Sequence, residues 1–256
     1  MRVAAIADLH CSRTSEGEFR ELFAAARQSA DVLALCGDLT DYGLPEEAAL
    51  LVREMDADRS IPVVAVLGNH DFEGGREREI HALLAEAGVI VLDGDSCEIG
   101  GVGFAGVKGF AGGFGRGALG AWGEPAIKAF VQEAVNEAIK LETALARLRT
   151  ERRVVLMHYS PILATVEGEP REIFPFLGCS RLEEPLSRYP VDVVFHGHAH
   201  RGQAEGRTLA GVPVFNVSLP LQRRLHPNGP QCRFFEIPVG EGGSAVPQAV
   251  EEEVAR

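Results

Sequence analysis

Val32-Leu33-Ala34-Leu35-Cys36-Gly37-Asp38-Leu39-Thr40-Asp41 is an apolar run that breaks into a polar cluster. Five apolar residues closed by a Gly read as a buried strand, and the Gly and Asp residues after them mark its end. The pattern recurs along the chain. Residues 3–7 lead into Asp8-Leu9-His10, and residues 63–67 into Gly68-Asn69-His70-Asp71. Residues 154–157 lead into His158, and residues 193–195 into the segment that holds Gly197-His198-Ala199-His200. In open α/β sheets, ligands bind at the carboxyl ends of the strands. The strand ends therefore deliver Asp, Asn and His side chains toward one place. Their number suits a metal site, and one for two ions.

Helical patterns fill the gaps. Ser15 and Glu18 have capping-box spacing before a helix expected over 18–30, with Phe19, Leu22, Phe23 and Ala26 on one face. Pro45 is placed to start a helix that runs to about residue 55. A third helix is expected over 76–87, stopped by Gly88. Strand and helix thus alternate through the first 90 residues or so, as βαβ units require. Residues 89–92, 97–99 and 102–107 then read as short strands in an antiparallel section, turned by Asp93-Gly94 and Gly100-Gly101. Residues 109–123 read as a Gly-rich loop. A long amphipathic helix is expected over 124–149, packed on a sheet. Another irregular stretch covers 160–178, and Ser180 with Glu183 suggests a second capping box. Residues 212–217 and 232–239 read as closing strands. One domain over 1–240 is expected, followed by a loosely held, polar acidic tail at 241–256.

Composition narrows the function. At 256 residues and 46% hydrophobic, the chain has enough apolar material for a large core. The net charge of −12 and a pI near 5.2 come without a basic stripe, which argues against broad nucleic-acid binding. The five Cys residues are odd in number, widely spaced and free of any CxxC, which argues against a disulfide framework or a zinc knuckle. No apolar stretch reaches the ~18–20 residues of a membrane span, and no signal peptide is recognised. A cytoplasmic protein is expected. The sequence sets no oligomeric state.

Residues two apart on an extended segment face the same way. On that basis Asp8 and His10 are expected to face one point, as are His198 and His200. Asp38 has two oxygens and can bridge two cations, and Asn69 offers a neutral carbonyl oxygen. This mix of imidazole nitrogen with carboxylate and amide oxygen suits Mn²⁺ first, with Fe or Zn²⁺ as alternatives. Mg²⁺ and Ca²⁺ prefer all-oxygen shells.

Taken together, DxH, GDxxD, GNHD, a lone His and GHxH, in that order over positions 8–200, resemble the calcineurin-like metallophosphoesterase superfamily. The resemblance implies an α/β fold, a four-layer α/β/β/α sandwich of two mixed sheets flanked by helices, with the metal site at the strand C-termini. It implies that one metal takes Asp8, His10, Asp38 and His200, and the other Asp38, Asn69, His158 and His198. His70 would assist the leaving group, oriented by Asp41. A metal-bridging hydroxide would attack a small phosphate ester, most readily a diester. A phosphomonoesterase with the same centre, and a non-catalytic metal-binding scaffold, are the alternatives. The run is GDLTDYG, so Tyr42 stands where protein Ser/Thr phosphatases of the superfamily carry an Arg. Asp41 and His10 depart from the purple acid phosphatase pattern.

Several residues read as bystanders. His196 is expected to be a satisfied core histidine rather than a helper of the site. Asp71 fits a turn-fixing role. Lys108, Arg116 and Trp122, in or beside the first long loop, read as exposed loop residues. So do Glu167, Arg171, Phe174 and Phe176 in the second, although either loop is placed to cover the metals.

Overall fold

The computed structural model describes residues 1–55, 61–239 and 248–249. In chain order, β1 (Arg2–Ile6), α1 (Arg20–Ser29), β2 (Val32–Cys36), α2 (Pro45–Met55), β3 (Val63–Val66), α3 (Glu77–Glu86) and β4 (Ile90–Val91) form the first half. β5 (Asp95–Ile99), β6 (Val102–Val107), α4 (Pro125–Arg147), β7 (Arg152–Met157), α5 (Phe174–Leu177), α6 (Glu183–Arg188) and β8 (Val193–His196) follow. β9 (Glu205–Arg207), β10 (Pro213–Asn216), α7 (Leu219–Leu225), β11 (Arg233–Glu236) and β12 (Gln248–Ala249) complete the described chain.

Two sheets result, in the orders β11-β1-β2-β3-β4 and β12-β5-β6-β7-β8-β10-β9. β1 to β4 run parallel, and β11 closes that sheet antiparallel to β1. β6, β7, β8 and β10 run parallel, with β5 and β9 antiparallel beside them. Both sheets are mixed, as expected. The antiparallel section begins later than the sequence suggests. Of residues 89–107 the β5–β6 hairpin is antiparallel, whereas α3 acts as a crossover and returns β4 parallel to β3. β12 pairs antiparallel with β5, and the rest of the expected acidic tail lies outside the described residues.

Alternation along the strands sorts the core into layers. Val3, Ala5 and Ala7 share a buried cluster with Phe104, Phe195 and Phe215, so small residues of one sheet meet large ones of the other. Ala4, Ile6, Leu33 and Leu35 face the other way, against Phe23 of α1, Leu51 of α2 and Ile80 of α3. Beyond the second sheet, Val155, Met157 and Val194 pack on Leu141 and Leu145 of α4 and Leu186 of α6. The layers are α/β/β/α.

Two helix starts differ from the sequence reading. Ser15 and Glu18 form no capping box: Phe19 occupies the N-cap of α1 without a side-chain bond. Instead Glu54, buried on α2, accepts the N–H of Gly17 at 2.9 Å and of Phe19 at 3.3 Å. The second box also fails, since Ser180 Oγ accepts the N–H of Gly115 at 2.7 Å and a 3-10 turn precedes α6. The stop at Gly88 holds. Val89 N–H bonds to Leu84 O and Gly88 N–H to Ala85 O, a Schellman ending.

Candidate metal centre

The first sheet brings three strand ends to the site and the second brings two. After β1 come Asp8 and His10, after β2 Asp38, and after β3 Asn69 and His70. After β7 comes His158, and after β8 come His198 and His200. All of these residues lie together at one end of the sandwich.

Strand alternation is not what aims them. β1 stops at Ile6 and β8 at His196. Asp8, His10, Asp38 and His198 have φ of 58°, 46°, 48° and 69°, and they are the non-glycine residues with positive φ among the described residues. Such left-handed conformations cost about 1–3 kcal/mol each and persist where the surroundings over-determine them. Four ligand candidates sharing them marks the site as the place where the fold stores backbone strain. The motif glycines serve the same convergence. A Cβ at Gly68 would strike the Asp38 carboxylate and backbone, and one at Gly197 would strike Asp8 Oδ2 and Ala7.

The chemistry of the donor set fits a cation. His158 Nδ1 lies 3.1 Å from Cys36 O, and His198 Nε2 lies 3.1 Å from Phe176 O. A carbonyl only accepts, so each of those ring nitrogens carries the hydrogen. The opposite nitrogens are left as lone-pair donors, and they face each other at 3.2 Å. Asn69 Oδ1 stands 2.8 Å from His158 Nε2, and Asp38 Oδ1 3.3 Å. Electron-pair donors crowd around one point there, the arrangement a metal ion satisfies. Burial alone would lower the His158 pKa, yet the Asp38 charge pushes it up to about 9, so without an ion a proton sits on Nε2 and a bound cation would have to displace it. Burial, with the His158 charge, takes His198 down to about 4.

A second group lies alongside. His200 Nε2 is 3.0 Å from Asp8 Oδ1. His10 Nε2 is buried without a hydrogen-bond partner, 3.8 Å from Asp38 Oδ2. An orphaned imidazole nitrogen aimed at carboxylates is what a metal ligand looks like before its ion is counted. Burial disfavours both carboxylate anions, but the His200 bond at Asp8 and the His158 charge at Asp38 outweigh it and hold them ionised. Asp38 turns Oδ1 to one group and Oδ2 to the other, so it joins them.

His70 and Asp41 meet through atoms the motif does not reveal. His70 Nδ1 is 2.7 Å from the Asp41 main-chain carbonyl. The Asp41 carboxylate lies 3.3 Å from His10 Nδ1 instead. The His70 N–H donates to Asp38 Oδ1 at 2.8 Å. Asp71 is buried beneath and accepts from Thr40 N and Oγ1, Leu39 N and Gly68 N, tying the second motif to the third. Burial, with the nearby Asp38 charge, raises its carboxyl to about 6.

His196 is fully buried and bonded at both nitrogens, to Gly197 O and Thr165 Oγ1, each at 2.8 Å. The post-His158 loop reaches the site through the Phe176 carbonyl, and the Gly-rich loop docks on it by Gly112 N–H to Pro175 O and Gly113 N–H to Gly178 O. Trp122 is exposed, as expected. Lys108 is not: it is half-buried, with Nζ among three aromatic rings. The sequence reading also passed over Tyr159, whose ring centroid lies 4.6 Å from that of His198. Its place directly after His158 was the available signal.

The family model of calcineurin-like phosphoesterases matches residues 1–202. No curated protein matches the chain in sequence. Among solved structures, the phosphopantetheinyl hydrolase of Mycobacterium tuberculosis has a TM-score of 0.63 at 16% identity, over 91% of this chain and 95% of that one. A putative 5'-nucleotidase from Staphylococcus aureus has a TM-score of 0.52 at 19% identity, over 84% of this chain and 48% of that one. GAP50 of Plasmodium, described as the anchor in the inner membrane complex, has a TM-score of 0.55 at 12% identity, over 86% and 72%. At these identities the likeness concerns the fold alone.

Proposed function

Since the chain belongs to the calcineurin-like phosphoesterase family, we propose that it is a dinuclear-metal phosphodiesterase acting on a small phosphate ester. One observation carries the reading: Asp38 directs one oxygen toward His158 and the other toward His10, and so links two groups of ligand atoms. Asp8, His10, Asp38 and His200 would hold one ion. Asp38, Asn69, His158 and His198 would hold the other. Manganese suits this donor set first, with iron or zinc as alternatives. Bound cations supply positive charge for the phosphate oxygens and acidify a water for attack.

The chain's own residues do the rest. Cys36 O and Phe176 O fix the ring orientation of His158 and His198, so their lone pairs are preorganised. The Asp41 carbonyl holds His70 Nδ1, which leaves Nε2 as the ring atom to meet the departing ester oxygen and share a proton with it. Asp71 keeps the loops that carry Asp38 and Asn69 in register.

The cytoplasm is the proposed compartment. Five free, buried cysteines support it, and among the described residues no helix is long and apolar enough to cross a membrane.

The test is hydrolysis of bis(p-nitrophenyl) phosphate and p-nitrophenyl phosphate by chelated protein, with and without Mn²⁺, beside Asp38→Asn. Metal-dependent diester cleavage lost in the variant is the expected result. Cleavage of the monoester alone favours a phosphomonoesterase. Cleavage of neither ester by fully metallated protein overturns the enzyme reading and leaves a metal-binding scaffold.

A further inference from the structure

A cavity of about 310 Å³ lies beside the metal centre, and the site residues do not use it. Leu67 and Phe72, which flank the Gly68–Asp71 segment, line it together with Val91, Leu92 and Lys108. Its walls are mainly apolar, and Lys108 brings a cation to them. The Lys108 Nζ stands 5.5 Å from the Phe72 ring centroid, 4.9 Å from Phe110 and 5.3 Å from Tyr159. Its one hydrogen bond goes to Gly109 O at 2.9 Å, and among the described residues no carboxylate is within ion-pair distance. An ammonium group has three donors, so two are left to the cavity. Three rings offset part of the cost of holding a desolvated cation, but they are weaker partners than an anion.

The surrounding charge is mixed: Glu137, Glu133 and Asp93 act on the Lys108 ammonium from beyond ion-pair distance, and Glu137 is itself held by Gly109 N–H and by Lys140. Arg78 also lines the cavity. Of the two carboxylates there, Asp93 is paired with Lys140 at 2.9 Å, and Glu77 remains. Lys108 also sits one ring away from the metal ligands. The Tyr159 centroid is 5.3 Å from Nζ and 4.6 Å from that of the His198 ring. Lys108 O accepts the His158 N–H at 3.0 Å, so the two positions are tied through the backbone.

The geometry points to this cavity as a second anion subsite: an ester whose phosphate lies on the metal ligands reaches past Tyr159, and Lys108 binds a carboxylate or phosphate on its non-reacting, partly apolar arm. This deepens the phosphoesterase reading and rests on it for the position of the reacting phosphate. A substrate with one anion at the metals and another an aromatic ring's length away is the class it selects.

The test uses phenylphosphonate and 4-carboxyphenylphosphonate, whose P–C bond resists ester hydrolysis, titrated calorimetrically into the Mn²⁺-loaded protein. The carboxylate is expected to tighten binding about tenfold. That ratio of dissociation constants falls to about one in Lys108→Met and returns in Lys108→Arg. Equal binding of the two compounds by the wild type, binding of neither, or a preference that persists in Lys108→Met overturns the subsite. Ester turnover is scored separately. A ratio near one with cleaved esters sinks the subsite alone. The expected ratio without cleavage of any ester keeps the subsite and sinks the phosphoesterase reading.

Discussion

The main-chain N–H of His198 points at both carboxylate oxygens of Asp8, at 3.0 and 2.9 Å, across 190 residues of chain. Asp8 follows a strand of one sheet and His198 a strand of the other. The contact pins the two sheets together at the end where the ligands gather, and His200 adds its own bond to the same carboxylate. The candidate centre is therefore complete only when the sandwich is closed.

Metal binding should divide by residue. Asp38→Asn is expected to weaken both ions, since its two oxygens serve two ligand groups. His200→Ala should weaken one ion, and His158→Ala the other, each by about 100-fold or more. Manganese titration followed by electron paramagnetic resonance counts the sites. Loss of a single ion in Asp38→Asn would contradict the bridging role.

His70→Ala should keep its full metal content and lose about 10²–10⁴ in kcat. The loss should be smallest for p-nitrophenolate and largest for alkyl alcohols, because a poor leaving group needs the proton more. A loss that is the same for all leaving groups would point to positioning instead.

Asp71→Ala strips the acceptor from donors on Leu39, Thr40 and Gly68. Buried donors left unpaired should cost about 3 kcal/mol in urea unfolding. Metal affinity should fall with it, since the loops that bear Asp38 and Asn69 are no longer tied. A change within experimental scatter in both readouts would show that water takes over those donors.

His196 should make the metal-free protein sensitive to acid. Burial pushes its pKa down from 6.5 to about 4. Gly197 O fixes the hydrogen on Nδ1, and Nε2 accepts from Thr165, so the native ring is neutral. The unfolded chain binds the proton more readily, so this contribution is whole above pH 6.5 and is lost as pH falls toward 4. The total is about 3 kcal/mol. Unfolding of chelated protein at pH 7.5 and 4.5 should show a shallower fall in His196→Phe than in the wild type. Equal falls would rule His196 out as a source.

Glu54→Ala should destabilise the fold by about 1–2 kcal/mol, as losing a helix cap does. Ser15→Ala should do little through capping, since Glu54 accepts the N–H groups of Gly17 and Phe19 just before α1 and the Ser15 hydroxyl bonds to Ser12 N–H instead. The reverse order of the two effects in thermal melts would restore the capping box.

The loops that carry the candidate ligands were legible in the sequence because each is a local pattern. Val32 to Cys36 is apolar on both faces, so it is a central strand, and Asp38 must lie just past its end. The same reasoning placed Asp8, Asn69, His158 and His198, and the long helix that became α4. Helix starts were less legible. Ser15 and Glu18 carry the right letters at the right spacing, but their own amides bond to main-chain carbonyls of Ser12 and Ser15, and a buried Glu from α2 caps the neighbouring Gly17 and Phe19 amides.

What the sequence by itself determined is which residues end the strands, and hence which side chains are the candidate donors. Only the tertiary structure decided which sheet each donor comes from, that left-handed backbone at Asp8, His10, Asp38 and His198 aims them, and that a carbonyl rather than a carboxylate of Asp41 holds His70. It also drew Lys108 in from an expected exposed loop to a cage of rings. The physical reason is range. Strand ends follow from neighbours in the chain, whereas these geometries are enforced by contacts between segments tens to hundreds of residues apart, which exist only once both sheets have closed.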